Sequence, residues 1–270
     1  MIRAQFVFLE RINQSDSTKI YFEHHFLSNE FPTITLVNGH TRTSKDFRLM
    51  IKALNTANIN VVTLDNRGAG QTTNLSSFTI SDMAEDVIEI WNHLEIDKSH
   101  LLGISMGGMI AQYISSNLST RVQSLVLIST ASGNHRINSN DGWGETYEEI
   151  LDKMKGYVSS QFFTKNKLLV EAMAKQTHKA VVAGEFLEGA DAQRKALSGF
   201  NAKLDLEPTD VPTLIIHGSE DQIISSEAAD ELRKSIANSE LKIYEDAGHL
   251  LLAEAPKRLY QDIIDFVKQA

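Results

Sequence analysis

The sequence predicts an α/β fold with a mostly parallel eight-stranded sheet, an N-terminal antiparallel hairpin, helices on both faces and a helical insertion. Three observations predict it. Short apolar runs alternate with amphipathic helical patterns over most of the chain, which is the signature of a parallel sheet covered on both faces. Two alternating segments joined by polar residues precede that rhythm. The rhythm then lapses from residue 134 to residue 205, where helical patterns occur without a convincing strand.

Residues 3–9 and 18–24 read as the hairpin, linked by Asn13-Gln14-Ser15-Asp16-Ser17. Alternation in Phe6 and Phe8, and in Ile20 and Phe22, predicts one buried face. Residues 33–37, 60–64, 99–104, 122–129, 212–216 and 241–244 read as the remaining strands. Residues 44–57, 79–95, 106–118, 226–237 and 256–269 read as helices. In the second, Ile80, Met83, Ala84, Val87, Ile88, Trp91 and Leu94 share one face, with Thr79 or Ser81 as the cap. Pro256 opens the last helix, where the lost N–H is one that no helical carbonyl would accept. The insertion carries Trp143, Tyr147, Met154, Tyr157, Phe162, Phe163, Met173, Phe186 and Phe200. These side chains are expected to build the insertion's own core; the alternative is that some of them face the sheet and line a pocket.

Composition bounds the function. The chain has 270 residues, 42% hydrophobic and 23% charged, enough to bury a sizeable core. A net charge of −9 argues against nucleic acid or an anionic membrane as a partner, leaving a small-molecule substrate. Absence of cysteine removes disulfides, thiolate metal sites and a cysteine nucleophile. The run Met1 to Glu10 is too short in apolar residues for a signal peptide, and no window approaches the ~18 apolar residues of a membrane span. A cytoplasmic protein is therefore expected, with its oligomeric state left open.

Chemistry is concentrated at Gly103-Ile104-Ser105-Met106-Gly107, between a strand and a helix. A serine flanked by glycines at such a turn reads as a nucleophile elbow. A serine needs a base, a group that orients the base, and donors for the oxyanion. In an open α/β sheet all of these belong at the carboxyl ends of strands. Among nine histidines, His249 in Asp246-Ala247-Gly248-His249 stands directly after the last strand, and the glycine before it permits a tight bend. His217 lies in the last turn of a strand and is expected to be packed. Past that strand, His217-Gly218-Ser219-Glu220-Asp221-Gln222 offers Asp221 and Glu220 as the acid.

Taken together these motifs resemble the α/β-hydrolase superfamily, in the group with a helical cap, and the resemblance covers nearly the whole chain. Five motifs carry it in order: Leu36-Val37-Asn38-Gly39-His40, Asp65-Asn66-Arg67-Gly68-Ala69-Gly70, the Gly103–Gly107 elbow, Gly218-Ser219-Glu220-Asp221 and Ala247-Gly248-His249. The order Ser, Asp, His is the family's. The resemblance implies Ser105 as nucleophile, Asp221 as acid (Glu220 as second choice) and His249 as base. It also implies the backbone N–H groups of His40 and Met106 as oxyanion donors, and no metal or organic cofactor. The Asp65–Gly70 run is expected to brace the cleft. Residues 1–133 and 206–270 would form the hydrolase core, and 134–205 the cap.

The oxyanion loop departs from the family's usual His-Gly by reading Asn38-Gly39 followed by His40, Thr41 and Arg42. Arg42 and Trp143 are the candidate substrate contacts. The expected activity is hydrolysis of small or medium carboxylic esters through an acyl-enzyme. C–C bond hydrolysis, lactonase or cofactor-free peroxidase chemistry on the same triad, and a slow-turnover ligand receptor, are the alternatives.

Overall fold

The computed structural model describes residues 3–13, 16–72, 77–133, 144–183, 187–200 and 209–270. Strands β1 (Arg3–Asn13) and β2 (Asp16–Phe26) form the antiparallel hairpin. Then follow β3 (Thr33–Val37), β4 (Asn60–Leu64), β5 (Ser99–Ile104), β6 (Val122–Ile128), β7 (Thr213–Gly218) and β8 (Ser239–Tyr244). They make one eight-stranded sheet in the order β1-β2-β4-β3-β5-β6-β7-β8. β2 joins β4 antiparallel, and every pairing from β4 to β8 is parallel. The chain moves outward from β3 to β4 and returns to place β5 on the other side of β3. That reversal opens a crevice beyond the carboxyl ends of β3 and β5, the place where such sheets bind ligands.

Alternation along the strands sends successive side chains to opposite faces. Leu101, Leu125, Leu127 and Ile215 pack on one face against α2 (Ile80–His93), α3 (Met106–Asn117) and α8 (Glu227–Ser235). Leu102, Val126, Ile128, Leu214 and Ile216 pack on the other against α1 (Arg48–Thr56) and α10 (Pro256–Gln269). Two covered faces explain why these strands read as unbroken apolar runs. Trp91 of α2 is fully buried, and its indole N–H donates to Thr35 Oγ1 at 2.8 Å, so the ring is buried without stranding its polar atom. Thr79 caps α2 and exchanges hydrogen bonds with Asp82 in a capping box.

One phase prediction fails. Ile20 and Phe22 are buried, but Phe8 is 53% exposed and lies beside Tyr21, its direct cross-strand partner. Tyr21 faces away from Ile20 and Phe22, so Phe8 must too. Val7 and Leu9 supply the inward face of β1 instead. The side chain of Phe6 lies outside the described residues, as do Trp143 and Phe186. The helix expected over 44–57 opens as a single 3-10 turn, Ser44–Phe47, before α1 begins.

Between β6 and β7 come α4 (Tyr147–Tyr157), α5 (Ser160–Lys165), α6 (Lys167–Val182) and α7 (Leu187–Gly199), with no strand among the described residues there. Met154, Val158 and Val170 form a small core of their own, with Phe162, Phe163 and Met173 against it. α7 differs, because Ala192, Ala196, Leu197 and then Phe200 join the main core. A short helix, α9 (Leu251–Glu254), follows β8. Among the described residues no helix is long and apolar enough to cross a membrane.

Candidate active site

The elbow is built by close approach. Ser105 sits between β5 and α3 with φ 53° and ψ −119°, a left-handed conformation that costs a residue with a Cβ about 1–3 kcal/mol. Surrounding contacts hold it there. Ser105 N–H donates to the Ile128 carbonyl at 2.9 Å, and its own carbonyl accepts from Thr130 Oγ1 at 2.7 Å and Gly108 N–H at 2.9 Å. A Cβ on Gly103 would lie 2.2 Å from the Gly107 carbonyl oxygen, and one on Gly107 would lie 2.1 Å from that of Val37. Both flanking glycines are thus dictated by backbone packed against backbone. Gly39 packs on Ser105 from the loop after β3, with room for a Cβ only 3.2 Å from the Ser105 Cβ.

The expected acid and base follow the last two strands of the sheet, beyond β6. Asp221 follows β7 and His249 follows β8, and His249 Nδ1 lies 2.7 Å from Asp221 Oδ2. The Asp221 side chain is inaccessible to solvent and that of His249 is 6% exposed. Asp221 Oδ1 accepts the N–H groups of Ile223 and Ile224, each at 2.9 Å. Burial pushes the Asp221 carboxyl up. The neighbouring His249 charge and the His217 and His249 ring nitrogens outweigh it and hold the carboxyl well below the usual range. A carboxylate that stays ionised can only accept, so the proton between the two side chains sits on His249 Nδ1. His217 is packed as expected: its Nε2–H donates to the Ile224 carbonyl at 2.9 Å, and the same nitrogen stands 3.2 Å from Asp221 Oδ2.

Ser105 and His249 line one cavity of about 240 Å³. Its walls are mainly apolar: Ile104, Ile128, Leu197, Ile223, and Met154, Tyr157 and Met173 from α4 and α6. The ring of Tyr157 meets His249 edge-on, 5.6 Å between centroids. Both readings of the insertion find a place: Met154, Tyr157 and Met173 face the cavity, and Phe162 and Phe163, outside its wall, pack against the insertion's own cluster.

The loop Asn38–Thr43 keeps its shape without the family's usual histidine. Asn38 Oδ1 accepts Gly39 N–H at 2.8 Å, and its Nδ2 donates to Thr43 O at 2.8 Å and Asp46 Oδ2 at 3.1 Å. His40 is half-buried in the cavity wall: its Nε2–H donates to the Ala190 carbonyl of α7 at 2.9 Å, and burial holds the imidazole below its usual pKa. Arg42 lines the cavity but is gripped by Asp46, with Nε 2.8 Å and Nη2 2.9 Å from its two carboxylate oxygens. Arg67 stands away from the cavity wall, in a buried bidentate pair with Asp86 at 2.6 and 2.9 Å, so the Asp65–Gly70 run braces structure. Glu220, the second choice as acid, instead accepts the Ser160 N–H of the insertion at 3.0 Å.

Two residues at this site carried no sequence signal. Gln193 of α7 is fully buried, accepts Thr41 N–H at 2.7 Å and donates to the Arg67 carbonyl at 2.7 Å. Glu254 accepts the Gly248 and Ser159 N–H groups, each at 2.9 Å. Both act on backbone groups brought near by the fold, and no local spacing announces such contacts. Among the described residues no group of three or more acidic or histidine side chains is arranged to hold a metal.

Known proteins place this architecture. A family model described as serine aminopeptidase, S33, matches residues 29–256. A putative non-heme chloroperoxidase from Synechocystis sp. is 30% identical over 258 residues, covering 89% of this chain and 92% of that one. The 3-oxoadipate enol-lactonase 1 of Acinetobacter baylyi is 29% identical over 213 residues, 77% of this chain and 78% of its own. In structure, an α/β hydrolase from a Medee basin deep-sea metagenome library superposes with a TM-score of 0.84 at 22% identity, covering 96% of this chain and 98% of its own. The chain belongs to the serine aminopeptidase S33 family of α/β hydrolases, and it is a hydrolase.

Proposed function

We propose that the protein hydrolyses small or medium carboxylic esters through an acyl-enzyme on Ser105. The observation that carries this reading is the buried 2.7 Å His249–Asp221 pair, whose His249 lines the same cavity as the strained Ser105. His249 Nε2 takes the Ser105 proton as Oγ attacks the ester carbonyl. Asp221 holds the ring and stabilises the imidazolium. The backbone N–H groups of Met106 and His40 receive the oxyanion. Met106 N–H is the first of α3, and that of His40 follows the glycine packed on Ser105. His249 returns the proton to the leaving alcohol, and water repeats the sequence to release the acid. The apolar wall from Met154, Met173 and Leu197 suits an apolar acyl group, and α4–α7 act as the cap over it.

A lactone is an ester closed on itself, and the enol-lactonase relative supports this second reading on the same triad. Arg42, already paired with Asp46 in the wall, is the candidate contact for a substrate carboxylate. The test combines a fluorophosphonate probe with a panel of p-nitrophenyl esters and lactones. Wild type should be labelled and active, and Ser105→Ala neither. Equal labelling of the two would falsify the reading. Arg42→Ala should raise KM for carboxylate-bearing substrates and leave neutral ones alone.

A further inference from the structure

We propose that Glu254 and Glu220 are positioning residues that make seating of the segment Tyr157–Ser160 a condition for a competent acid–base pair. The inference rests on the triad reading above.

Four contacts converge on that segment, which links α4 to α5. Glu254 stands five residues beyond His249. Its Oε1 accepts the N–H of Gly248, the residue before the base, and its Oε2 accepts Ser159 N–H, both at 2.9 Å. Glu220 stands one residue before Asp221, and its Oε2 accepts the next N–H along, Ser160, at 3.0 Å. Leu250 N–H, just after the base, donates to the Tyr157 carbonyl at 3.0 Å. The Tyr157 ring meets the His249 ring edge-on. The acid and base loops are also joined to each other, by Glu220 N–H on the Ala247 carbonyl at 2.8 Å.

Packing is as close as the hydrogen bonding. A Cβ on Gly248 would lie 2.7 Å from the Val158 carbonyl carbon and 2.9 Å from Ser159 N. The base loop therefore has no clearance from the segment. Glu254 is half-buried, and burial pushes its carboxyl above the usual range, with the Glu220 charge adding to it and the Ser159 and Gly248 donors pulling back. A carboxylate kept where ionisation is disfavoured, with one oxygen on each side of a junction, is placed to hold the junction.

When the segment is seated, His249 is fixed from three sides: Asp221 on Nδ1, Tyr157 on the ring, and Glu254 on the preceding peptide. When it lifts, the Tyr157 ring leaves His249, Glu254 loses its Ser159 anchor and holds Gly248 with one oxygen alone, and Glu220 is freed beside Asp221. Substrate access under the cap and alignment of the base are thus read by the same four residues.

The experiment compares wild type with Glu254→Ala, Glu254→Gln and Glu220→Ala. It measures kcat and KM on p-nitrophenyl acetate, amide hydrogen exchange in peptides spanning 157–160 and 246–250, and thermal melts. Misalignment of a catalytic group costs on the order of 10- to 100-fold, so Glu254→Ala should lose that much in kcat with KM within about twofold. Exchange should accelerate in both peptides. Glu254→Gln, whose amide oxygen can serve one of the two N–H groups, should fall between. Glu220→Ala should accelerate exchange at 157–160 with a smaller loss of kcat. A folded Glu254→Ala with wild-type kcat overturns the proposal. So does unchanged exchange in both peptides. If Glu254→Ala does not fold, Glu254→Gln with wild-type kcat and exchange overturns it equally. Failure of the triad reading looks different: wild type itself neither turns over esters nor is labelled at Ser105, while the exchange comparison still reports on the tie.

Discussion

At the scale of single residues, the site depends on which groups are charged and where their partners sit. Asp221 is held ionised by four donor contacts in a place without solvent. Asp221→Asn keeps the volume, but its amide cannot hold the required His249 tautomer, and kcat should fall by roughly 10³–10⁴-fold with KM little changed. The same substitution has a stability signature. The Asp221 carboxyl lies below its unfolded value, so its stabilising contribution is present above that value, about 3.9, and fades as pH falls below it. The stability difference between wild type and Asp221→Asn in denaturant melts should therefore be largest near neutrality and shrink below about pH 4. A difference independent of pH would show the carboxylate contributes nothing through its charge. Arg67 and Asp86 illustrate another residue-scale rule, because their side chains are 4% and 2% exposed. Arg67→Met leaves a buried carboxylate without its guanidinium and should cost about 3–5 kcal/mol in a urea titration. A loss under 1 kcal/mol would mean that water or a shifted side chain replaces the pair.

At the scale of elements, α7 is fastened to the core in a way that α4–α6 are not. Gln193 bridges Thr41 and Arg67, His40 reaches Ala190, and Gly189 lies against Gly68 backbone to backbone. Thr41 is held at φ 61°, immediately after the proposed oxyanion donor, so Gln193 stabilises a strained turn beside the proposed nucleophile. Gly189→Ala sets two effects against each other. Alanine inside a helix is favoured over glycine by about 1 kcal/mol. Its Cβ would lie 2.1 Å from the Gly68 carbonyl oxygen, a clash with backbone that cannot rotate away, and overpacking of this kind costs roughly 1–3 kcal/mol. The clash should win. Gly189→Ala is expected to lower the melting temperature and, by displacing α7 from Thr41, to lower kcat. A melting temperature at or above wild type would mean α7 is free to slide.

For the molecule as a whole, legibility followed the range of the interaction. Strands β3–β7 were legible because two covered faces demand an apolar run, and the Ser105, Asp221 and His249 positions were legible because each lies past the carboxyl end of a strand. The phase of β1 was not, since Val7, Phe8 and Leu9 are all apolar and only pairing with Tyr21 settles which face turns outward. Gln193 and Glu254 were invisible for a related reason: each ties in a backbone group far away in sequence, Thr41 and Ser159, and a glutamine or glutamate on a helix looks like solvated surface. The same division predicts how the protein opens. β3–β7 are sandwiched between two cores, whereas α4–α6 share a cluster with three buried side chains and leave Leu168 82% exposed. Stability is local where buried apolar contacts are few. Native-state hydrogen exchange should therefore show amides of α4–α6 exchanging through a low-energy opening, insensitive to small amounts of denaturant. Amides of β5, β6 and α3 should exchange only through global unfolding, with a steep denaturant dependence. α7, fastened by Gln193, Gly189 and its contribution to the main core, should exchange with the sheet. If α4–α6 instead exchanged in step with β5, the insertion and the core would be one cooperative unit, and the four ties at Tyr157–Ser160 would be strong enough to merge them.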